Sequence, residues 1–269
     1  MMVENITEAQ KEQFDSDGYL IVKGLFSSEE IEQLKNRFMQ IHSEGPIPGY
    51  FSPLSEEDAK GDILKMYPRI MHPHKIDSLS MKYLLDLRLF SILTKLLEEE
   101  PLAAQSMFYY KPPGAKGQAL HQDNFYLKME PGTCIAAWTA IDPSNEENGG
   151  LYVVPNSQHA EIQCPHRADP EKSFTREEVD IPDGLKPIPA ILEPGDVLFF
   201  NGNVIHGSYP NTSKDKFRRS FICHYAGIST TKAGNFYKPL YKQDGTPVTD
   251  IETTESNPCG TEFTQAEIH

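Results

Sequence analysis

Between residues 29 and 42 the apolar side chains Ile31, Leu34, Phe38 and Ile41 recur every three or four positions, which puts them on one stripe of an α-helix. Ser27 followed by Glu30 is an S-x-x-E capping box that starts this helix. Ahead of it, TEAQKEQFDSDG predicts a short helix ending in a turn, and YLIV a buried strand. Residues 43–76 are polar and rich in Pro and Gly, a loop region, and SLSMKYLLDLRLFSILTKLLEE predicts a second amphipathic helix over 78–99. From about residue 105 the pattern changes. SMFYYK, ALHQDNFYL, TCIAAWTAI, GLYVVP, PIPAILE, DVLFF and RRSFICHYAG are short aromatic and β-branched runs separated by PPG, EPG, NEENGG and NGN. Helices followed by a series of strands predict an α+β, mainly β chain built on a sandwich or barrel. Residues 161–186 and the Pro/Thr-rich stretch after 227 read as excursions over the barrel mouth. With no internal repeat, one domain is expected over residues 1–269: mostly helical support in 1–104, a β core in 105–227 and a C-terminal extension in 228–269.

A formal charge of −14 disfavours nucleic acid and anionic membranes as partners, because both are recognised by basic surface. It leaves open a local basic pocket for an anionic small molecule. No apolar run approaches the ~20 residues of a membrane helix. Cys134, Cys164, Cys223 and Cys259 show no CxxC spacing, and the N-terminal residues lack a signal-type apolar block, so reduced thiols in a cytoplasmic protein are expected.

Candidate chemistry starts at HQDNFYL, residues 121–127. On a strand, positions i and i+2 share a face, so His121 and Asp123 project together from between apolar flanks. DVLFFNGNVIHGSYPN supplies His206 just after a turn, and in KFRRSFICHY the residues Arg218, Ser220, Ile222 and His224 fall on one strand face. Two histidines and one carboxylate match the facial arrangement of a non-haem Fe(II) site, with open positions for a bidentate 2-oxo acid and dioxygen. A planar guanidinium such as Arg218 suits the distal carboxylate of such a co-substrate. Zinc is the chemical rival, although hydrolytic zinc sites more often use three histidines or HExxH. Taken singly, His206 reads as a satisfied histidine, Arg218 as a solvated charge, and Trp138 and Met107 as core.

DSDGYLIVKGLFSSEEIEQL, MFYYKPPG, LHQDNFYL, AAWTAID, NGGLYVVPNSQH, GDVLFFNGNVIHGSYPN and FRRSFICHY occur in that order over most of the chain. Together they resemble the phytanoyl-CoA dioxygenase family of Fe(II)/2-oxoglutarate oxygenases. The resemblance implies a double-stranded β-helix, a cupin-like jelly roll with helices packed outside. It implies that His121, Asp123 and His206 bind Fe(II), that Arg218 holds the distal carboxylate of 2-oxoglutarate, and that Met107, Gln122, Trp138 and Ser208 line the co-substrate pocket. It further implies turnover with O2 to succinate and CO2. Arg69, in YPRIMHPHK, stands where close members of the family carry a lysine. The family's PGSH-like turn reads PNSQH here, so His159 is given no role, and His224 is read as structural. Halogenating relatives replace the carboxylate by a small residue; Asp123 therefore favours hydroxylation. A small, polar or anionic metabolite is the expected substrate, met by Arg69, His72 and Lys75 and bordered by Phe125 and Tyr126. An acyl-CoA or natural-product intermediate is the alternative substrate. A jelly roll that binds a metal or ligand without redox chemistry, and a zinc hydrolase, are the alternatives in function.

Overall fold

The computed structural model describes residues 6–254 and Cys259. Two antiparallel sheets face each other as a double-stranded β-helix, with the N-terminal helices outside. The major sheet runs, in order, Tyr19–Val22, Val197–Asn201, Ile135–Ala140, Ser220–Gly227, Pro101–Tyr109, Leu240–Tyr241 and Pro247–Val248, and Ile70–Met71 also pairs with Pro101–Tyr109. The minor sheet runs Gln118–His121, His206–Ser208, Leu151–Val153 and Ile188–Pro189. Met107, Trp138, Ile222 and Leu198 from the major sheet pack with Leu151 and Val153 from the minor one. Alternate residues of the same major-sheet strands, Phe108, Phe199, Phe221 and Tyr225, instead pack with the helix stripe Ile31, Leu34, Phe38 and Ile41. The period of two thus gives the major sheet one face for the helices and one for the interior of the jelly roll.

The helix expected over 29–42 is Ser28–Glu44, and its Ser27–Glu30 capping box forms in both directions. Phe38 at its centre stacks on Phe108, with ring centroids 3.9 Å apart. The second amphipathic helix is two, Ser78–Leu84 and Leu87–Leu97. Asp86 breaks it: its carboxylate accepts the Arg88 amide and caps the second piece, a role that suits Asp better than a mid-helix position does.

Of the expected excursion after residue 227, only the part up to residue 254 and Cys259 is described; the rest lies outside the described residues. Two strands of that part join the major sheet instead of crossing the mouth. Leu240–Tyr241 and Pro247–Val248 extend the major sheet at its edge. Residues 161–186 are tied along the edge of the minor sheet, by Phe174 N–H to the Gly117 carbonyl and Val179 N–H to the Leu120 carbonyl. The expectation of four reduced thiols needs correction. Cys164 and Cys259 form a disulfide across 95 residues, while Cys134 and Cys223 are buried free thiols. A pairing at that separation leaves no local spacing signal. Among the described residues, no helix is long and apolar enough to cross a membrane.

Candidate metal centre

Register explains why residues 85 positions apart in the sequence meet. His121 ends its strand and pairs directly with His206, which begins the neighbouring one, and their rings lie 4.2 Å apart. Asp123 is not on that strand: it opens the short helix Asp123–Leu127. Gln122 between them is extended (φ −121°, ψ 123°), so the alternation of sides holds for one more residue. Asp123 Oδ1 lies 3.6 Å from Nε2 of both His121 and His206. The three ligand-type atoms all fall within 4.8 Å of one another, and all three residues are buried.

The donor chemistry fits a divalent metal ion. His121 Nδ1 lies 2.8 Å from the Ala119 carbonyl and His206 Nδ1 2.9 Å from the Val204 carbonyl. A carbonyl only accepts, so both rings carry their proton on Nδ1 and present the Nε2 lone pair inward, the arrangement seen in metal-ligating histidines. Burial first, and then His206, push the His121 imidazole down to about 3, so it is neutral at pH 7. Burial alone would raise the Asp123 carboxyl, but His206, His224 and His121 outweigh it and hold the group well below the usual carboxylate range. His224 Nε2 lies 2.9 Å from Asp123 Oδ2, the oxygen turned away from the two ligand imidazoles. His224, read from the chain as structural, therefore orients the carboxylate.

Arg218 sits just before the strand Ser220–Gly227 and is 3% exposed. Its Nε donates to the Gly149 carbonyl at 3.0 Å and its Nη1 to the Ser220 hydroxyl at 2.8 Å. The guanidinium carbon lies 5.2 Å from the Trp138 ring centroid. The cavity it shares with the three ligand residues is also lined by Met107, Trp138, Ser208 and His224. Met107 and Trp138 arrive there because both are paired with Ile222, on the two strands flanking Ser220–Gly227.

Other expected residues lie elsewhere. Gln122 faces away: its amide donates to the Asn203 carbonyl, and its oxygen accepts the Gln163 amide N–H. The alternation that brings His121 and Asp123 together sends Gln122 to the opposite side, so it is not a co-substrate contact. Phe125 and Tyr126 are buried in a cluster with Leu102 and Tyr237, and the Tyr126 hydroxyl donates to Glu177 at 2.7 Å. They pack beneath residues 161–186 rather than bordering an open pocket. Lys75 is exposed and is not part of the metal cavity lining. His72 is buried with no hydrogen-bond partner on either ring nitrogen among the described residues. Burial pushes it down to about 3, which makes it a neutral ring and not part of a cationic rim. Arg69 does reach the site region, because Ile70–Met71 pairs with Phe108 and Met107. Its Nη1 lies 3.3 Å from the Tyr109 hydroxyl, and Tyr109 lines the metal cavity.

Lys111 was missed. It is 2% exposed, and its Nζ donates to the Ser208 hydroxyl at 2.7 Å. Its carbonyl accepts the Arg218 amide N–H, and its backbone is left-handed at φ 37°. Strain in a non-glycine residue is usually tolerated where function requires it. The signal in YYKPPG was a lone cation closing an apolar strand immediately before a proline turn.

A jelly roll that gathers two imidazoles and a carboxylate around one point, beside a buried guanidinium, belongs architecturally to the mononuclear non-haem oxygenases. The family model Phytanoyl-CoA dioxygenase (PhyH) matches residues 14–220, and the chain belongs to that family of dioxygenases, which depend on Fe(II) and 2-oxoglutarate. It is 26% identical over 247 residues to phytanoyl-CoA dioxygenase 1 of Oryza sativa subsp. japonica, covering 78% of this chain and 85% of that protein. It is 27% identical over 262 residues to phytanoyl-CoA dioxygenase domain-containing protein 1 of Danio rerio, covering 81% and 89%. Among solved structures it resembles the epimerase SnoN in complex with Fe3+, alpha ketoglutarate and nogalamycin RO, with TM-score 0.66, 17% identity and 96% and 88% of the two chains covered.

Proposed function

We propose that this chain, acting as one oxygenase domain over residues 1–269, hydroxylates a small, polar or anionic metabolite. In this reading His121, Asp123 and His206 hold ferrous iron, and Arg218 holds the distal carboxylate of 2-oxoglutarate. When bound, iron supplies dioxygen activation coupled to decarboxylation of the co-substrate to succinate and CO2. The protein's own work is positional. Ala119 and Val204 carbonyls fix the two imidazole tautomers, His224 orients the Asp123 carboxylate, and Gly149 and Ser220 fix the guanidinium plane. Lys111 and Ser208 add a second cation and a hydroxyl beside Arg218, suited to a carboxylate that must leave water. Met107, Trp138 and Ile222 keep this pocket apolar elsewhere, which strengthens each charge interaction inside it.

The observation that carries the reading is the convergence of the three ligand atoms, in a metal-ready protonation pattern, in one cavity with a buried arginine. The test is succinate formation from 2-oxoglutarate in the presence of iron and ascorbate. It should require both the metal and dioxygen; succinate produced equally without oxygen would refute an oxygenase. Hydroxylation specifically requires one oxygen atom from O2 in the product, read by isotope labelling once a substrate is found.

A further inference from the structure

Beyond the metal cavity, with Tyr109 as a wall common to both, lies a second cavity of about 670 Å3. Its charge runs against that of the chain. In a protein of net charge −14, the cavity is lined by the cations Lys65, Arg69, Lys111, Lys116, Arg167 and Arg176 and, among the described residues, by the single carboxylate Asp62. Tyr67, Tyr109 and Phe174 supply an apolar wall. Two arginines come from the segment 161–186, which is anchored and not a loose flap. Arg167 pairs with Glu177 in a two-stranded hairpin, and the Ala168 amide N–H donates to the Arg176 carbonyl. The Ser173 hydroxyl accepts the Ala119 amide N–H at 3.0 Å, and Gly117 N–H donates to the Lys172 carbonyl. Arg69 also lines the cavity, and its Nη1 lies 3.3 Å from the Tyr109 hydroxyl at the boundary with the metal cavity.

Apart from Lys111, whose Nζ is turned to Ser208, a lining rich in cations raises the potential of this concave space and concentrates anions there. Arginine is the side chain matched to carboxylate and phosphate oxygens. We propose that this cavity is the substrate chamber and that it selects an anionic organic molecule, a carboxylate or a phosphate ester with an apolar or aromatic body. Arg167 and Arg176 grip its anionic end, Tyr67 and Phe174 flank its body, and the carbon to be oxidised passes Arg69 and Tyr109 towards the metal. This rests on the proposed oxygenase reading only for the direction in which the substrate points.

The test uses the full chain loaded with Fe(II) and 2-oxoglutarate without oxygen, titrated calorimetrically with phenyl phosphate, phenylacetate and the neutral phenylacetamide. At least one anion should bind tenfold or more tightly than the amide and weaken as salt is added; whichever anion binds more tightly assigns the head group. The paired substitution Arg167→Glu with Arg176→Glu should reduce that anion's affinity at least tenfold. Arg167→Lys with Arg176→Lys should retain most of it, and unchanged melting temperatures in both show that folding is intact. Anions binding no better than phenylacetamide, or binding equally well in the charge-reversed protein, would overturn the proposal. Selective anion binding in a protein that forms no succinate would instead refute the oxygenase reading and leave the chamber standing.

Discussion

Replacing Lys111 by methionine separates two effects that would otherwise be confounded. Methionine keeps an unbranched stem of similar reach and removes only the charge. Lys111 and Arg218 are 2% and 3% exposed, and burial first, then the nearby Arg218, push the Lys111 ammonium well below the ordinary lysine range. Two buried cations side by side destabilise the empty protein, and replacing a buried charge by an apolar group of similar volume is often neutral or stabilising. Ser208 retains a partner in Lys111→Met, since its hydroxyl also accepts the Gln118 amide N–H at 3.1 Å. The melting temperature of the empty variant should therefore hold or rise. In the proposed complex Lys111 also bonds the distal carboxylate of 2-oxoglutarate. The variant lacks that charged hydrogen bond, worth about 1.5–3 kcal/mol, so Kd should rise about 10- to 150-fold. The pH dependence has a definite sign. A lysine whose folded pKa lies below its unfolded value leaves the unfolded chain holding more protons between the two, so the empty protein gains stability as pH rises through that window. Over the same rise the ammonium is lost and 2-oxoglutarate affinity falls; in Lys111→Met both dependences should flatten. Anaerobic calorimetric titration with 2-oxoglutarate, alongside thermal melts of the empty protein, reads all of this. A Kd within twofold of the parent, or a lowered melting temperature in the empty variant, would refute the reasoning.

Other expectations follow from the same geometry. His224→Phe should keep the fold but weaken metal binding about 10- to 100-fold, the usual effect of losing a partner behind a ligand; a metal titration with unchanged affinity would show that the 2.9 Å contact with Asp123 does not orient it. Phe38→Ala removes a fully buried ring stacked on Phe108 and should cost about 3–5 kcal/mol in denaturant unfolding. Glu30 is held below its ordinary range chiefly by Arg88, so its contribution is present above the unfolded carboxylate pKa and lost as pH falls through the lower folded value. With both side chains partly exposed, Glu30→Gln should cost at most about 1 kcal/mol at pH 7, and the difference from the parent should vanish in acid.

Much of this molecule was legible in the chain because periodicity and burial coincide. The stripe Ile31–Leu34–Phe38–Ile41 and the aromatic runs after residue 105 each mark an element with one buried face, and the observed sheets and helices use those faces. The ligand residues stood out because charged groups were embedded in apolar runs. What the chain concealed depends on register or on long separations. His121 and His206 meet through a cross-strand pair, Lys111 reaches Ser208 across 97 positions, and Cys164 finds Cys259 across 95. Asp86 was hidden by an unbroken apolar period, although a capping carboxylate there outweighs helical continuity. Gln122 shows where resemblance and physics part: the period of two that unites its neighbours turns it outward. The basic chamber was obscured most, because its cations come from separate segments, 62–69, 109–116 and 167–176, inside a chain whose net charge is negative.

In the proposed enzyme three side chains, His121, Asp123 and His206, converge to hold one ferrous ion. The most direct test is an anaerobic titration of the metal-free protein with Fe(II), for the parent and for Asp123→Ala, with thermal melts to confirm folding. The parent should hold one ion tightly per chain, and Asp123→Ala none comparably. Equal stoichiometry and affinity in the two folded proteins would contradict this.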